Sequence, residues 1–531
     1  MKRACLQQNK NTYEQNHASS IRPLKINFVR MKRFFITGLI LISSSLFLLA
    51  QNDGDAIRFS QYFPMGTARS VAMGSAFGAL GADFSALSIN PAGIGVYRKS
   101  ELTFTPDIYY DKTKSAFYSQ NYSDFKYKFL FNNMGGVFAF NSNRDKGWVG
   151  AALGVGYNRL ADYNRNITIS AFNTQSSLLD EFVFCADKID TSRLDANYEW
   201  LAWKTYLIYL PDNENMPWAY ASGMNFFDFD QGQWVRNYGQ SQERHIVTKG
   251  GIDEYSLTFG ANYSHMLYIG MSLGLNRLLC DESKVHTEWD ANNAIDYFQS
   301  FTFSEYFYTR GTGFTAKFGI IAKPVEMVRL GFSLHLPTFY NLESEFSTSM
   351  KSYFDSGDPS SLSARSIVTV TDYQVVTPLR MVFSGGLQFG KMGVLSADYE
   401  LIDYTTAKID GDLDNYDDIN KNIQNYYKST GNLRLGGELK LGNLALRAGY
   451  AHYGSPYVAG QLNAKASQSI LSTGFGVRSS NVFVDFAYAY AMRDVRHRMY
   501  YAGFEEENGV EYYSQLKQST SRFMATIGFR F

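Results

Sequence analysis

The sequence predicts an all-β protein: a fourteen-stranded antiparallel transmembrane β-barrel with an N-terminal hatch inside its lumen. Three observations carry that expectation. Beyond residue 100 apolar residues recur with period two rather than 3.6. The connections between these segments switch regularly between long and short. The composition, 38 Tyr, 41 Phe and 44 Gly against 11 Pro, suits long strands with aromatic girdles.

The alternation is sharpest at 519–531, where Phe523, Ala525, Ile527, Phe529 and Phe531 share one face and Arg522, Met524, Thr526, Gly528 and Arg530 the other. Segments 267–275, 379–389 and 482–490 repeat it. The second face is rich in Gly, Ser and charge, which suits a curved wall around a polar or plugged interior rather than the shared apolar core of a sandwich. Candidate strands run near 101–111, 132–142, 147–160, 252–264, 266–279, 310–323, 327–338, 373–389, 392–406, 432–441, 443–452, 470–479, 481–491 and 519–531. Their connections are long at 112–131, 161–251 (the largest), 280–309, 339–372, 407–431, 453–469 and 492–518, and short between these. Short periplasmic turns and longer external loops give an outer-membrane barrel this rhythm.

Ahead of the strands, Met31-Lys32-Arg33, the apolar run 34–50 and polar Gln51-Asn52-Asp53 read as a signal peptide over 31–50, with 1–30 a misassigned extension. Ser43-Ser44-Ser45 interrupts the run and argues against a membrane anchor. Residues 51–100 then precede the first strand and are expected to fold back into the lumen, where Gly74, Ser75, Ala76, Gly78, Ala79, Gly81, Ala82 and Ala86 permit close packing. Within them Asn90-Pro91 favours a turn, because Pro91 fixes its own φ and pushes Asn90 away from helix.

The stretch "SALSINPAGIGVY" resembles the hatch of the FadL/TodX family of outer-membrane transporters for hydrophobic compounds, with Asn90-Pro91-Ala92 matching the family's Asn-Pro-Ala motif. "GTARSVAMGSAFGALGADFSALSINPAGIGVYRKSELTF" and "LRAGYAHYGSPY" resemble the Bacteroidota versions. The resemblance implies a fourteen-stranded barrel in the outer membrane of a Gram-negative bacterium. It also implies passive uptake of a hydrophobic ligand, such as a long-chain fatty acid or aromatic hydrocarbon, released by a shift of the hatch or through a lateral opening. It gives Phe531 the role of signal to the barrel assembly machinery. Loop 161–251 is much longer than the resemblance requires.

Candidate site residues fall into three sets. The hatch motif is Asn90, Pro91 and Ala92; a gating role needs Asn90 to hold the plug in one of two arrangements. Trp200, Trp203, Trp218, Phe226, Phe227 and Trp234 form either a ligand-capture loop or a lid with its own small core. Arg380, Asp398, Glu400, Arg447 and Asp485 face the lumen with mixed signs, either as a salt-bridge network bracing wall and hatch or as a polar conduit or clamp for a carboxylate ligand.

A net charge of zero advertises no nucleic-acid surface. The absence of HExxH or a phosphate loop and the scattered His argue against an enzyme, a metal or a cofactor. Three cysteines are too few for a disulfide framework and leave open whether Cys185 and Cys280 pair. Expected partners are the hydrophobic ligand and outer-membrane lipid. The alternative function is a barrel scaffold or shuttle that binds a protein at its extracellular loops, for secretion or surface assembly.

Overall fold

The computed structural model describes residues 53–531 except 64, 143, 174, 212–218, 229–232, 294, 356–358, 412–415 and 503–509. The expected extension 1–30, the signal peptide 31–50 and Trp218 lie outside the described residues.

Fourteen staves close on themselves. They are β1 (Glu101–Phe117), β2 (Gln120–Asn141), β3 (Trp148–Asp162), β4 (Gln240–Tyr263), β5 (Leu267–Trp289) and β6 (Phe298–Val325). Next come β7 (Val328–His335 continued by Phe339–Phe354) and β8 (Thr369–Val376 continued by Arg380–Phe389). The circuit ends with β9 (Gly393–Asp403), β10 (Ser429–Leu441), β11 (Leu444–Tyr453), β12 (Gln468–Arg478), β13 (Val482–Ala502) and β14 (Val510–Arg530). Each pairs antiparallel with the next, and β14 returns to β1 from Glu101↔Arg530 to Ala116↔Gln515. Closure leaves no sheet edge to be satisfied in lipid.

The alternation sorts as expected. Phe523, Ile527 and Phe529 point outward and are exposed, whereas Met524 and Thr526 are buried inside. Leu267, Ile269, Met271 and Leu275 of β5, and Phe383, Leu387 and Phe389 of β8, join the same outward apolar band. That band is the surface of a membrane-spanning barrel. Among the described residues no helix is long and apolar enough to cross a membrane, and the strands do the crossing.

The strands outrun the expected bounds. The segment 112–131, read as a long connection, is ladder almost throughout: β1 and β2 pair as far as Phe117↔Gln120, and only Tyr118-Ser119 turn, both at positive φ. Likewise β4 begins at Gln240, so the expected loop 161–251 gives up its last part to the wall, and β5 runs to Trp289 and β6 begins at Phe298, so most of the expected connection 280–309 is wall too. Arg165–Asn173 of that loop adds a short strand against β4. Above the lipid both faces of a strand meet water, so the apolar-polar contrast that marks a strand in sequence fades.

Two breaks interrupt the wall. Pro337 and Pro378 stand at the same level of β7 and β8, where the ladder gives way to the pair Thr338 N–H to Thr377 Oγ1 (2.8 Å) and Thr377 N–H to Thr338 O (3.0 Å). Pro106 in β1 lacks an N–H, and the pairing of β1 with β14 skips from Phe104↔Ile527 to Asp107↔Met524.

Candidate functional site

Residues 53–97 lie against the inward faces of the staves in short pieces: helices Asp53–Arg58, Ala68–Ala72 and Ala86–Ile89, then the tight helical turn Pro91–Val96. A chain rich in Gly, Ala and Ser forms no long helix, but it approaches backbone closely. At Gly270 of β5 a Cβ would stand 2.4 Å from the Pro91 carbonyl, so the wall is glycine where the turn presses on it.

Asn90 sits at the centre of this packing, 1 % exposed. Its extended backbone precedes Pro91 at the first position of the turn, and its Oδ1 accepts from Ala92 N–H at 3.1 Å, an N-cap. Its Nδ2 donates to Gly78 O (2.6 Å) within the segment, and to Ile320 O (3.3 Å) of β6 and Phe332 O (3.4 Å) of β7. One side chain thus joins two parts of the segment to two staves. Ala92 is fully buried beside Tyr268 and Ile321.

Charged side chains complete the attachment. Arg69 grips Glu438 of β10 with Nε at 3.0 Å and Nη2 at 3.2 Å. Glu438 also accepts from Arg447 of β11 (2.7 Å), Arg447 donates to Asp485 of β13 (2.7 Å), and Asp485 meets Arg478 of β12 at 3.2 Å. A second chain joins Asp398, Arg434, Glu400 and Arg380 across β8 to β10, with separations of 3.7, 3.5 and 3.4 Å. Asp398 accepts from Gly78 N–H at 3.1 Å, and Arg380 donates to Ser60 O. Elsewhere Ser88 donates to Glu254 (2.9 Å), which pairs with Lys317, and Arg522 spans Asp107 and Asp162. The five residues singled out as a charge network, Arg380, Asp398, Glu400, Arg447 and Asp485, fall into two networks, and both touch the N-terminal segment.

Sequence reasoning missed Arg69, Glu254, Lys317 and Glu288. Arg69 had a signal, since it and Asp83 are the only charges between Ser60 and Tyr97. The others had none, because their partners lie far away in the chain.

The far mouth is covered by a lid. Helix Leu178–Ala186 begins with a capping box, Ser177 with Asp180, and Glu199–Lys204 follows. Leu178, Leu179, Phe182, Leu201, Ile208, Tyr220 and Met224 share one core with Phe301, Phe303, Met350, Tyr500 and Leu516 of the wall. Glu288 of β5 clamps the helix start: it accepts from Leu178 N–H (2.8 Å), Ser177 Oγ (2.7 Å) and Gln240 Nε2 (3.0 Å), so a carboxylate meets the positive end of the helix. Burial, then the charge of Asp195, pushes the Glu199 carboxyl up to about 8.

Trp200 and Trp203 pack against this core, with the Lys204 ammonium 5.5 and 5.1 Å from their rings. The backbones of Phe226, Phe227 and Trp234 belong to a small four-stranded sheet, with Phe227 opposite Trp234. Cys280 is a buried free thiol whose Sγ accepts from Arg58 at 3.5 Å, so Cys185 and Cys280 do not pair.

Between lid and N-terminal segment lies a cavity of about 1150 Å³. Phe63, Met65, Val71, Tyr453 and Ile470 give it apolar surface, and Arg58, Arg165, Glu282, Lys284, Glu305 and Arg493 are among the charged side chains that line the rest. Among the described residues no cluster of His, Cys, Asp and Glu is placed to hold a metal.

Fold and site together define a class: a membrane-spanning barrel whose lumen holds its own N-terminal segment beneath a covered cavity. No family model and no curated protein matches the chain. Solved structures do. A Pseudomonas aeruginosa FadL homologue superposes with a TM-score of 0.51 at 13% identity, over 89% of this chain and 100% of that one. The Pseudomonas putida toluene transporter TodX gives 0.49 at 13% identity, over 89% and 99%. The Ralstonia pickettii toluene transporter TbuX gives 0.47 at 12%, over 89% and 99%. The resemblance first met at Asn90-Pro91-Ala92 therefore holds at the level of the fold, which this chain shares with the FadL homologue.

Proposed function

We propose that this chain is an outer-membrane channel for passive uptake of hydrophobic small molecules, such as long-chain fatty acids or aromatic hydrocarbons, with residues 53–97 as its hatch. The observation that carries this reading is the cavity of about 1150 Å³ between hatch and lid. A barrel serving only as a scaffold has no use for a space of that size. An apolar ligand gains about 25 cal/mol per Å² on burial there, against poor passage through the polar outer leaflet. The fold shared with a FadL homologue supports the reading.

In this mechanism the lid admits the ligand, the cavity holds it, and the hatch governs the last step toward the periplasm. Asn90 is the hinge of that step, because it alone bonds to both hatch and wall at the turn. Phe531, exposed beyond the outward stripe of β14, serves as the assembly signal.

The scaffold alternative draws on Ile367, Val368 and Val370, exposed at 78%, 60% and 58% near the β7–β8 connection. Native mass spectrometry after gentle extraction decides between the two. An adduct of lipid or hydrocarbon mass, displaced by added fatty acid, is the expected result. A stoichiometric protein companion with no small adduct would replace transport with the shuttle.

A further inference from the structure

The short-turn mouth of the barrel, on the opposite side of the hatch from the lid, holds a second cavity of about 390 Å³. Its walls are the first and last barrel residues, Glu101 and Arg530, the turns at Gly390 and Ser480, and the hatch backbone at Leu80–Ala82. Among the described residues seven cationic side chains line it, against two carboxylates, Glu101 and Glu438. Both carboxylates are already engaged, Glu101 by Arg530 at 2.8 Å and Glu438 by Arg69 and Arg447.

Arg329 of β7 makes the imbalance specific. It is half-buried, and its hydrogen-bond partners among the described residues are neutral: Nη1 donates to Leu80 O (2.6 Å) and Nη2 to Gln388 Oε1 (2.9 Å). Its Nε has no hydrogen-bond partner, and it forms no ion pair among the described residues. Arg478, which lines the same space, also has an unpartnered Nε. Exposed Arg98 and Lys99 add charge at the rim. A half-buried guanidinium with only neutral partners is a strong donor to an oxyanion, which supplies both counter-charge and the missing hydrogen bonds.

We propose that this mouth is a binding pocket for a small oxyanion, foremost the carboxylate of an amphipathic molecule, with Arg329 as its principal contact and Arg478 and Lys99 contributing field. The pocket stands independently of the uptake reading, since it is defined by the charge at the periplasmic mouth and not by the cavity under the lid.

The test uses the purified full chain in neutral detergent, titrated calorimetrically with octanoate and, separately, with inorganic phosphate. Saturable octanoate binding that weakens at least tenfold in Arg329→Gln is the expected result. Binding of phosphate alone with the same dependence on Arg329 would support the pocket and name free phosphate as the source. Lys99→Gln, at an exposed position, should weaken binding about threefold through the field alone, and it serves if Arg329→Gln fails to fold. Absence of binding, or binding indifferent to both substitutions, overturns the proposal. No transport is measured, so failure here leaves the uptake reading standing.

Discussion

Asn90→Ala removes a side chain that joins the turn at Pro91–Val96, the turn at Gly78 and the wall. Two buried groups lose their bond, the Ala92 N–H and the Gly78 carbonyl. The Ile320 and Phe332 carbonyls, both in the ladder, lose only a longer additional contact, at 3.3 and 3.4 Å. A buried polar group left unpaired costs about 1–3 kcal/mol, so the hatch turn is destabilised by about 2–4 kcal/mol after partial relaxation. That corresponds to a rise of about 30- to 1000-fold in local opening. The barrel keeps its closed ladders, so heat-modifiable gel migration should be retained. Amide hydrogen exchange resolved at Ala92 and Gly93 should accelerate by that factor, with ion leakage across planar bilayers rising in parallel. Unchanged exchange at these amides would refute the argument that Asn90 holds the hatch.

Further substitutions probe the same architecture. In Gly319→Ala the new Cβ would stand 1.9 Å from Asn90 Oδ1; it should loosen the hatch as Asn90→Ala does, yet add little in that background, a coupling above about 1 kcal/mol in a double-mutant cycle. Arg447→Met leaves Glu438 to Arg69 and Asp485 to Arg478, and denaturant unfolding should report a loss of about 1.5–3 kcal/mol. Glu288→Ala releases the start of the lid helix, at about 1.5–3 kcal/mol per bond to the charged group; limited proteolysis should then cut within 174–239 while the barrel stays intact. The raised carboxyl of Glu199 sets a pH dependence. Below its unfolded value near 4.5 it is neutral in both states; between there and about 8 the unfolded lid releases the proton that the folded lid retains. Lid stability therefore falls as pH rises through that window and levels off above it, and Glu199→Gln should flatten the profile measured by proteolysis.

What the sequence determined by itself is what a single strand encodes. Period-two alternation at 267–275, 379–389 and 519–531 separated lipid face from lumen face, because lipid and lumen impose opposite polarity on successive side chains. The long-short rhythm of connections gave the stave count, and Asn90-Pro91 marked a turn through the restrictions of proline. Tertiary structure decided which distant residues meet. Arg69 and Glu438 are 369 positions apart, and Ser177 and Glu288 are 111 apart. The extended upper strands at 112–131 were hidden because water on both faces erases the pattern that lipid on one face writes. Trp200 and Trp203 were equally ambiguous, since an aromatic in a loop looks the same whether it awaits a ligand or packs on its own lid. Only the closed wall, which brings Phe301, Met350 and Tyr500 beneath the helices of this loop, supplied the core against which these two tryptophans pack. Burial belongs to the fold as a whole, and a local sequence carries the tendency toward it without the partner.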